Sequence, residues 1–285
     1  MNASSAVISP PAGAPTDVLA LVTACSPWSP AAHVAVALAA DFGARVTGCY
    51  VDPALRVQHG GESEPSVLAL LMDLPHENSR EREAFHELAR HAGVSHALWT
   101  ATRTGIAPTL RQLGAWHDLA VIEREIACEG DSFGILSEAL LTCRTTCLIL
   151  PPSGHVRSRF TRLAIAWNGS IESARAIHAA LPFARLAEEV WLFDGETPAY
   201  EDDQERAPHI DPLTYLAHHG IHARPRRIHT TPHDAGAALL REIAELKADL
   251  LVMGAYGRSR VRERVLGGAT RHVLQHAGVP VLMRH

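Results

Sequence analysis

Twice in this chain an aspartate opens a short apolar run that follows a helical pattern: DLAVIE from Asp118 and DLLVMG from Asp249. RQLGAWH leads into the first and REIAELKA into the second. Each is followed by a loop, a further helical stretch and a last apolar run, TCLILPP up to Pro152 and VPVLMRH up to His285. The earlier parts repeat as well. VLALVT (18–23) and LAIAW (163–167) read as strands, followed by helical PAAHVAVALAADFG (30–43) and SARAIHAALPFARL (173–186). RVTGCYVD (45–52) and EVWLFD (189–194) read as second strands, HALWTA (96–101) and RRIHTT (226–231) as third ones. An internal repeat of this kind constrains the fold more than any single motif. Continuous apolar strands alternating with helices predict parallel sheets covered on both faces. The chain therefore reads as two α/β domains in tandem. A disordered leader covers 1–16, the first domain 17–152, a polar, basic linker 153–160 and the second domain 161–285.

Charge and composition narrow the function. A formal charge of −5 and a pI near 6.4 give no global basic field for nucleic acid or an anionic membrane. Lys247, in ELKADL, is the only lysine, so a Walker A loop is excluded and Schiff-base chemistry has no suitable residue. The five cysteines (25, 49, 128, 143 and 147) make no CxxC pair and read as buried free thiols. No apolar run approaches a membrane span. The start, MNASSAVISPPAGAPTD, has no basic segment and is broken by prolines, unlike a signal peptide. These features predict a cytoplasmic protein.

The most distinctive local feature is GAYGRSRVRERVLGGATRHVL, 254–274. Glycine is conformationally costly, so four of them around one loop ask for a reason, such as close approach of backbone to a ligand. The loop begins where the strand DLLVMG ends, and ligands of open α/β sheets bind beyond the carboxyl ends of strands. Gly267 and Gly268 precede a helical stretch, whose first N–H groups suit an anion.

The spacing Gly-x2-Gly-x9-Gly of Gly254, Gly257 and Gly267, with GVPVLMRH after it and AWNGSIESARAIHAAL before it, resembles the nucleotide-binding signature of the universal stress protein family. The resemblance covers 161–285 by motif and 17–152 by layout. It implies two flavodoxin-like, doubly wound domains of the adenine nucleotide alpha hydrolase-like kind, forming an intramolecular pseudo-dimer. Their last strands, CLIL and VLMR, would pair antiparallel at the interface. It also implies ATP, with or without Mg2+, held by the second domain. The contacts would be Ala166, Trp167 and Asn168 at the end of the first strand, Leu192 in the second, Met253, Gly254, Gly257 and Arg258 after the fourth, and Gly267, Gly268 and Ala269 at the following helix. Two positions depart from the family pattern. Asn168 stands where ATP-binding members have an aspartate, and Gly268 where they have Ser or Thr. Thr270 offers a hydroxyl, but two residues along a helix turn it roughly 200° away. In the first half, Glu123 and Ile126 align with Gly254 and Gly257, and only Gly134 matches a motif glycine, Gly267. A carboxylate there would repel phosphate, which makes the first domain a structural partner.

Other constellations read as structural. GDSFG (130–134) lacks a strand running into Ser132 and an oxyanion segment, so Ser132 reads as a helix cap. In HELARH, His86 and His91 fall roughly 140° apart on a helix. His272 and His276 share a face but have no evident third ligand. HHGIH (218–222) reads as a helix end. Arg258 is balanced between phosphate neutralisation and solvation, while Arg260, Arg262 and Arg264 read as solvated. Cys143 and Cys147, flanking a helix-to-strand turn, read as core thiols rather than a redox pair. The expected function is regulatory nucleotide binding in a stress response, without committed chemistry. The alternatives are a nucleotide-free scaffold and a weak hydrolase. Association with a second copy or an unidentified protein is left open.

Overall fold

The computed structural model describes residues 13–52, 78–124, 139–141, 143–152, 158–195, 210–230, 234–255 and 268–285. Its centre is one ten-stranded sheet. The first half supplies β1 (Asp17–Val22), β2 (Arg45–Val51), β3 (Ala97–Thr102), β4 (Leu119–Glu123) and β5 (Thr146–Leu150). The second supplies β6 (Arg162–Trp167), β7 (Glu189–Gly195), β8 (Ala223–Ile228), β9 (Leu250–Gly254) and β10 (Val281–Arg284). The strand order is β3-β2-β1-β4-β5-β10-β9-β6-β7-β8. Each half has the same order relative to its own sequence, mirrored about the central seam.

Within each half the named strands pair in parallel. At the seam β5 and β10 run antiparallel, with Val281 opposite Ile149, Leu282 opposite Leu148 and Met283 opposite Cys147. Two unpaired strand edges thus cover each other. The outer edge β8 carries Pro225 and three arginines, residues that discourage further strand addition. This strand starts at Ala223, three residues ahead of the expected RRIHTT run, because a proline and alternating arginines mask its extended character in sequence.

Seven named helices cover the sheet among the described residues: α1 (Pro30–Phe42), α2 (Ser79–His91), α3 (Ile106–Gly114), α4 (Ile171–Leu186), α5 (Pro212–His218), α6 (Ala235–Leu246) and α7 (Gly268–His276). One apolar layer joins β-strand residues to α1, α2, α4 and α5. The other joins them to α3, α6 and α7. Both layers run across the seam. In the first, Phe42 of α1 meets Phe183 of α4 edge-on at 5.2 Å, and Phe160 lies 6.1 Å from Phe183. Phe160, expected in the linker, is therefore part of the packed seam; residues 153–157 lie outside the described residues.

The two aspartates that open the repeated runs have a shared structural task. Asp118 Oδ2 accepts from the Thr16 N–H at 2.8 Å and the Thr16 hydroxyl at 2.9 Å. Asp249 accepts from the Thr161 N–H at 2.8 Å, the Thr161 hydroxyl at 2.9 Å and the Arg162 N–H at 2.8 Å. In return, the Asp118 N–H donates to Asp17 O and the Asp249 N–H to Arg162 O, both at 2.9 Å. Each carboxylate clamps the start of the first strand of its own half, and so sets the register of the strand pair that frames the site. Thr16 was expected in the leader. Pro15 is buried beside this clamp, and residues 1–12 lie outside the described residues.

Candidate functional site

In an open α/β sheet the crevice lies where the strand order reverses. In the second half that place is between β6, which leads outward to β7, and β9, which leads toward the seam. Leu163, Ala164 and Ile165 pair with Leu250, Leu251 and Val252. The strands therefore end side by side, Ala166–Trp167–Asn168 next to Met253–Gly254. Trp167 is also level with Asp194, and Gly254 with Arg284. Asn168 is exposed, Ala166 and Trp167 are half-buried, and Met253 is buried.

The residues around this crevice are tightly engaged with α4. Asn168 Oδ1 accepts from the Ser170 N–H at 3.1 Å. Ser170, the N-cap of α4, accepts from the Ser173 N–H at 3.1 Å. A Cβ on Gly254 would lie 2.6 Å from both the Glu172 carbonyl carbon and the Ser173 nitrogen. The bare backbone at Gly254 is therefore required by the helix, which packs against the strand end more closely than any side chain permits. The sequence offered two readings of this glycine, a turn or a ligand approach. The observed contact is a third.

Leu192 sits inside β7, paired with Ile165 and Pro225 and 3 % exposed. It lies below the edge formed by Trp167 and Asp194, with its side chain in the apolar layer. Gly268 starts α7 with nothing within 4 Å of a Cβ position. Its N–H and that of Ala269 belong to the first helical turn, where amides have no intrahelical acceptor. Thr270 is buried. Gly257, Arg258 and Gly267, with Arg260, Arg262 and Arg264, lie outside the described residues.

The first half has the same reversal, between β1 and β4, and fills it differently. Glu123, the last residue of β4, directs one carboxylate oxygen to the Ala31 N–H at 2.9 Å and the other to the Thr23 hydroxyl at 3.3 Å. The N-cap residue of α1, Ser29, makes no side-chain cap, and its buried Oγ has no partner. Pro30 has no N–H to offer. Glu123 thus caps α1 from another strand, and its charge complements the positive end of the helix. Sequence reasoning gave Glu123 only a repulsive role. Its attractive one depends on a contact between residues 92 positions apart. Ile126, Ser132 and Gly134 lie outside the described residues.

The histidine pairs show no metal geometry. His91 Nε2 lies 3.6 Å from Glu87 Oε1. His272 and His276 stack at 4.3 Å, and His276 Nδ1 lies 2.9 Å from the His272 carbonyl oxygen. Among the described residues no cluster of three His, Cys, Asp or Glu side chains is positioned for a metal ion. No helix among them is long and apolar enough to cross a membrane.

Residues 159–285 match the model of the universal stress protein family. A universal stress protein from Archaeoglobus fulgidus DSM 4304 superposes with a TM-score of 0.64 at 16% identity, covering 94% of this chain and 95% of that one. A functionally unknown protein from Pseudomonas aeruginosa PAO1 superposes with a TM-score of 0.60 at 14% identity, covering 95% of this chain and 92% of that one. At these identities the likeness is one of fold, and it extends over both halves. No curated protein matches the chain. The universal stress protein model thus matches the second half of the chain, and the same five-strand plan is built once more ahead of it.

Proposed function

We propose that this chain is a regulatory stress-response protein that binds one adenine nucleotide, ATP, in a domain spanning 161–285, while a degenerate domain over 17–152 serves as its structural partner. The supporting observation is the convergence of Trp167, Asn168, Met253 and Gly254 at the strand-order reversal of the half that matches the family. The open first turn of α7 offers the Gly268 and Ala269 amides to phosphate, joined in this reading by Gly257, Arg258 and Gly267. Ala166 and Leu192 would border the adenosine. Mg2+ would accompany the phosphates; among the described residues no carboxylate cluster is positioned to hold it. The Glu123 carboxylate occupies the equivalent edge of the first half, so the stoichiometry is one nucleotide per chain. In this reading the protein acts as a cytoplasmic binding module rather than an enzyme.

Calorimetric titration of the full chain with ATP, ADP and AMP tests this reading. Saturable binding at one site, abolished by Gly257→Glu and unaffected by Glu123→Gln, is the expected result. Absence of any heat or thermal shift at millimolar ATP with Mg2+ refutes it. That outcome would favour a nucleotide-free scaffold, a reading supported by the engagement of the Asn168 oxygen with Ser170 and of Gly254 with α4.

A further inference from the structure

A cleft of about 490 Å³ opens along the seam, apart from the crevice described above. His178 and Phe183 of α4 and Arg284 of β10 line one side; Asp118, Cys143 and Arg144 line the other. Cys143 ends a helical stretch, Arg144 turns the chain in the left-handed region at φ 51°, and β5 begins two residues later. That turn folds Cys147 back onto Cys143, bringing their sulfurs to 3.7 Å, in van der Waals contact. The junction is held in place by the Thr145 hydroxyl, which donates to Gly114 O and lies 3.1 Å from Cys143 O.

The two thiols differ. Cys147 is wholly buried opposite Met283 in the seam, whereas Cys143, 4 % exposed, borders the cleft. The hydrogen bond from Cys147, aided by the Thr145 backbone, holds the Cys143 thiol below the usual range, while the same contact and burial push Cys147 up. Elsewhere burial pushes Cys25 to about 11 and Cys49 to about 12. A thiol held below its usual range carries more thiolate, the nucleophilic form.

We propose that Cys143 and Cys147 form an oxidisable dithiol reached through the seam cleft, with Cys143 as the attacking sulfur and Cys147 as the resolving one. The oxidant is a small-molecule disulfide. Cys143 thiolate attacks one of its sulfurs, a protein–small-molecule bond forms, and one thiolate leaves. Cys147 gives its proton to that leaving thiolate and attacks Cys143 Sγ, releasing the second small thiolate. Two protein thiols are oxidised and one disulfide is reduced to two thiols. The second step needs the sulfurs to close from 3.7 Å to about 2.0 Å. The product staples the helical stretch to the start of β5, where the two halves join. The proposal stands independently of nucleotide binding.

The test is exposure of the native full chain to the disulfide of 2-mercaptoethanol, followed by differential alkylation and peptide mapping. The expected result is a peptide linking Cys143 to Cys147, lighter by two hydrogens, formed before Cys25 or Cys49 is modified. Cys147→Ser should stall at a stable adduct on Cys143, and Cys143→Ala should leave Cys147 reduced. The proposal is overturned if the wild-type chain, whose folding is not in question, shows both thiols alkylated only after denaturation. Linkage of either to Cys128 overturns it as well.

Discussion

Removing the carboxylate of Glu123 tests whether α1 is capped from β4. The first turn of α1 has little else: Pro30 lacks an N–H, Ser29 Oγ makes no cap, and Glu123 receives the Ala31 N–H at 2.9 Å. Loss of a helix cap costs about 0.5–2 kcal/mol, and a hydrogen bond to a charged group contributes about 1.5–3 kcal/mol. These describe one interaction and do not add, so Glu123→Ala should cost about 2 kcal/mol. Glu123→Gln keeps a neutral acceptor at roughly half the strength and should cost about 1 kcal/mol. Urea denaturation followed by circular dichroism reads this as a lower midpoint at unchanged slope. Hydrogen exchange supplies the local readout: the Ala31 amide should lose protection in Glu123→Ala and keep it in Thr23→Val, which removes only the 3.3 Å contact. If Glu123→Ala lies within about 0.5 kcal/mol of wild type with Ala31 still protected, the helix is capped by other means and the argument fails.

Gly254→Ala would drive a methyl group into the Glu172 and Ser173 backbone, at a cost of about 1–3 kcal/mol, whereas Gly268→Ala meets open space and should be neutral or stabilising by up to about 1 kcal/mol; thermal denaturation of the two variants compares them. Asp249→Ala leaves the Thr161 and Arg162 amides without their acceptor and should destabilise by about 2–4 kcal/mol, read in denaturant, with Asp249→Asn recovering part of the loss. The Asp17 carboxyl is held below its ordinary value, first by the hydrogen bond from Arg45 and then by that from Thr16, against the opposing effect of burial. A depressed carboxyl contributes stability above its unfolded value, about 3.9, and loses it as pH falls through the folded one. Wild type should therefore exceed Arg45→Ala in stability at neutral pH, and the two should converge in acid; a constant gap across the titration would contradict the linkage.

The inner strands were legible because they are short apolar runs bounded by turn residues, and a strand buried on both faces needs little else. Of the two edge strands, β3 keeps an apolar run in ALW, whereas the exposed arginines and Pro225 of β8 carry no apolar signal. The antiparallel seam could be anticipated only from family resemblance, since nothing in CLIL or VLMR states a partner. The aspartates of DLAVIE and DLLVMG were visible as a repeat, but the clamp they form was not. It joins Asp118 to Thr16 across 102 positions and Asp249 to Thr161 across 88. The dithiol is a similar case. A spacing of four residues puts two cysteines near each other in a helix, but here the helix ends between them. The contact depends on a left-handed Arg144 that the sequence does not announce.

The contrast between Glu123 and Gly254 concerns the same physical demand answered twice. Each is the last residue of an equivalent strand, and each faces the N-terminal turn of the helix that follows the first strand of its half. Such a turn presents amides without intrahelical acceptors, and some oxygen must meet them. In the second half the helix meets the demand locally: Ser170 accepts from Ser173, and Asn168 accepts from Ser170. With the turn satisfied from within, α4 settles against a strand end bare enough to receive it, which requires Gly254. In the first half the local cap fails, because Ser29 makes no such bond and Pro30 breaks the run of donors. The oxygen then comes from the strand, which requires a long acidic side chain and excludes glycine. A carboxylate spent on the helix also leaves that edge negatively charged. The capping chemistry of the two helices therefore separates a strand end that must be bare from one that must carry its own anion.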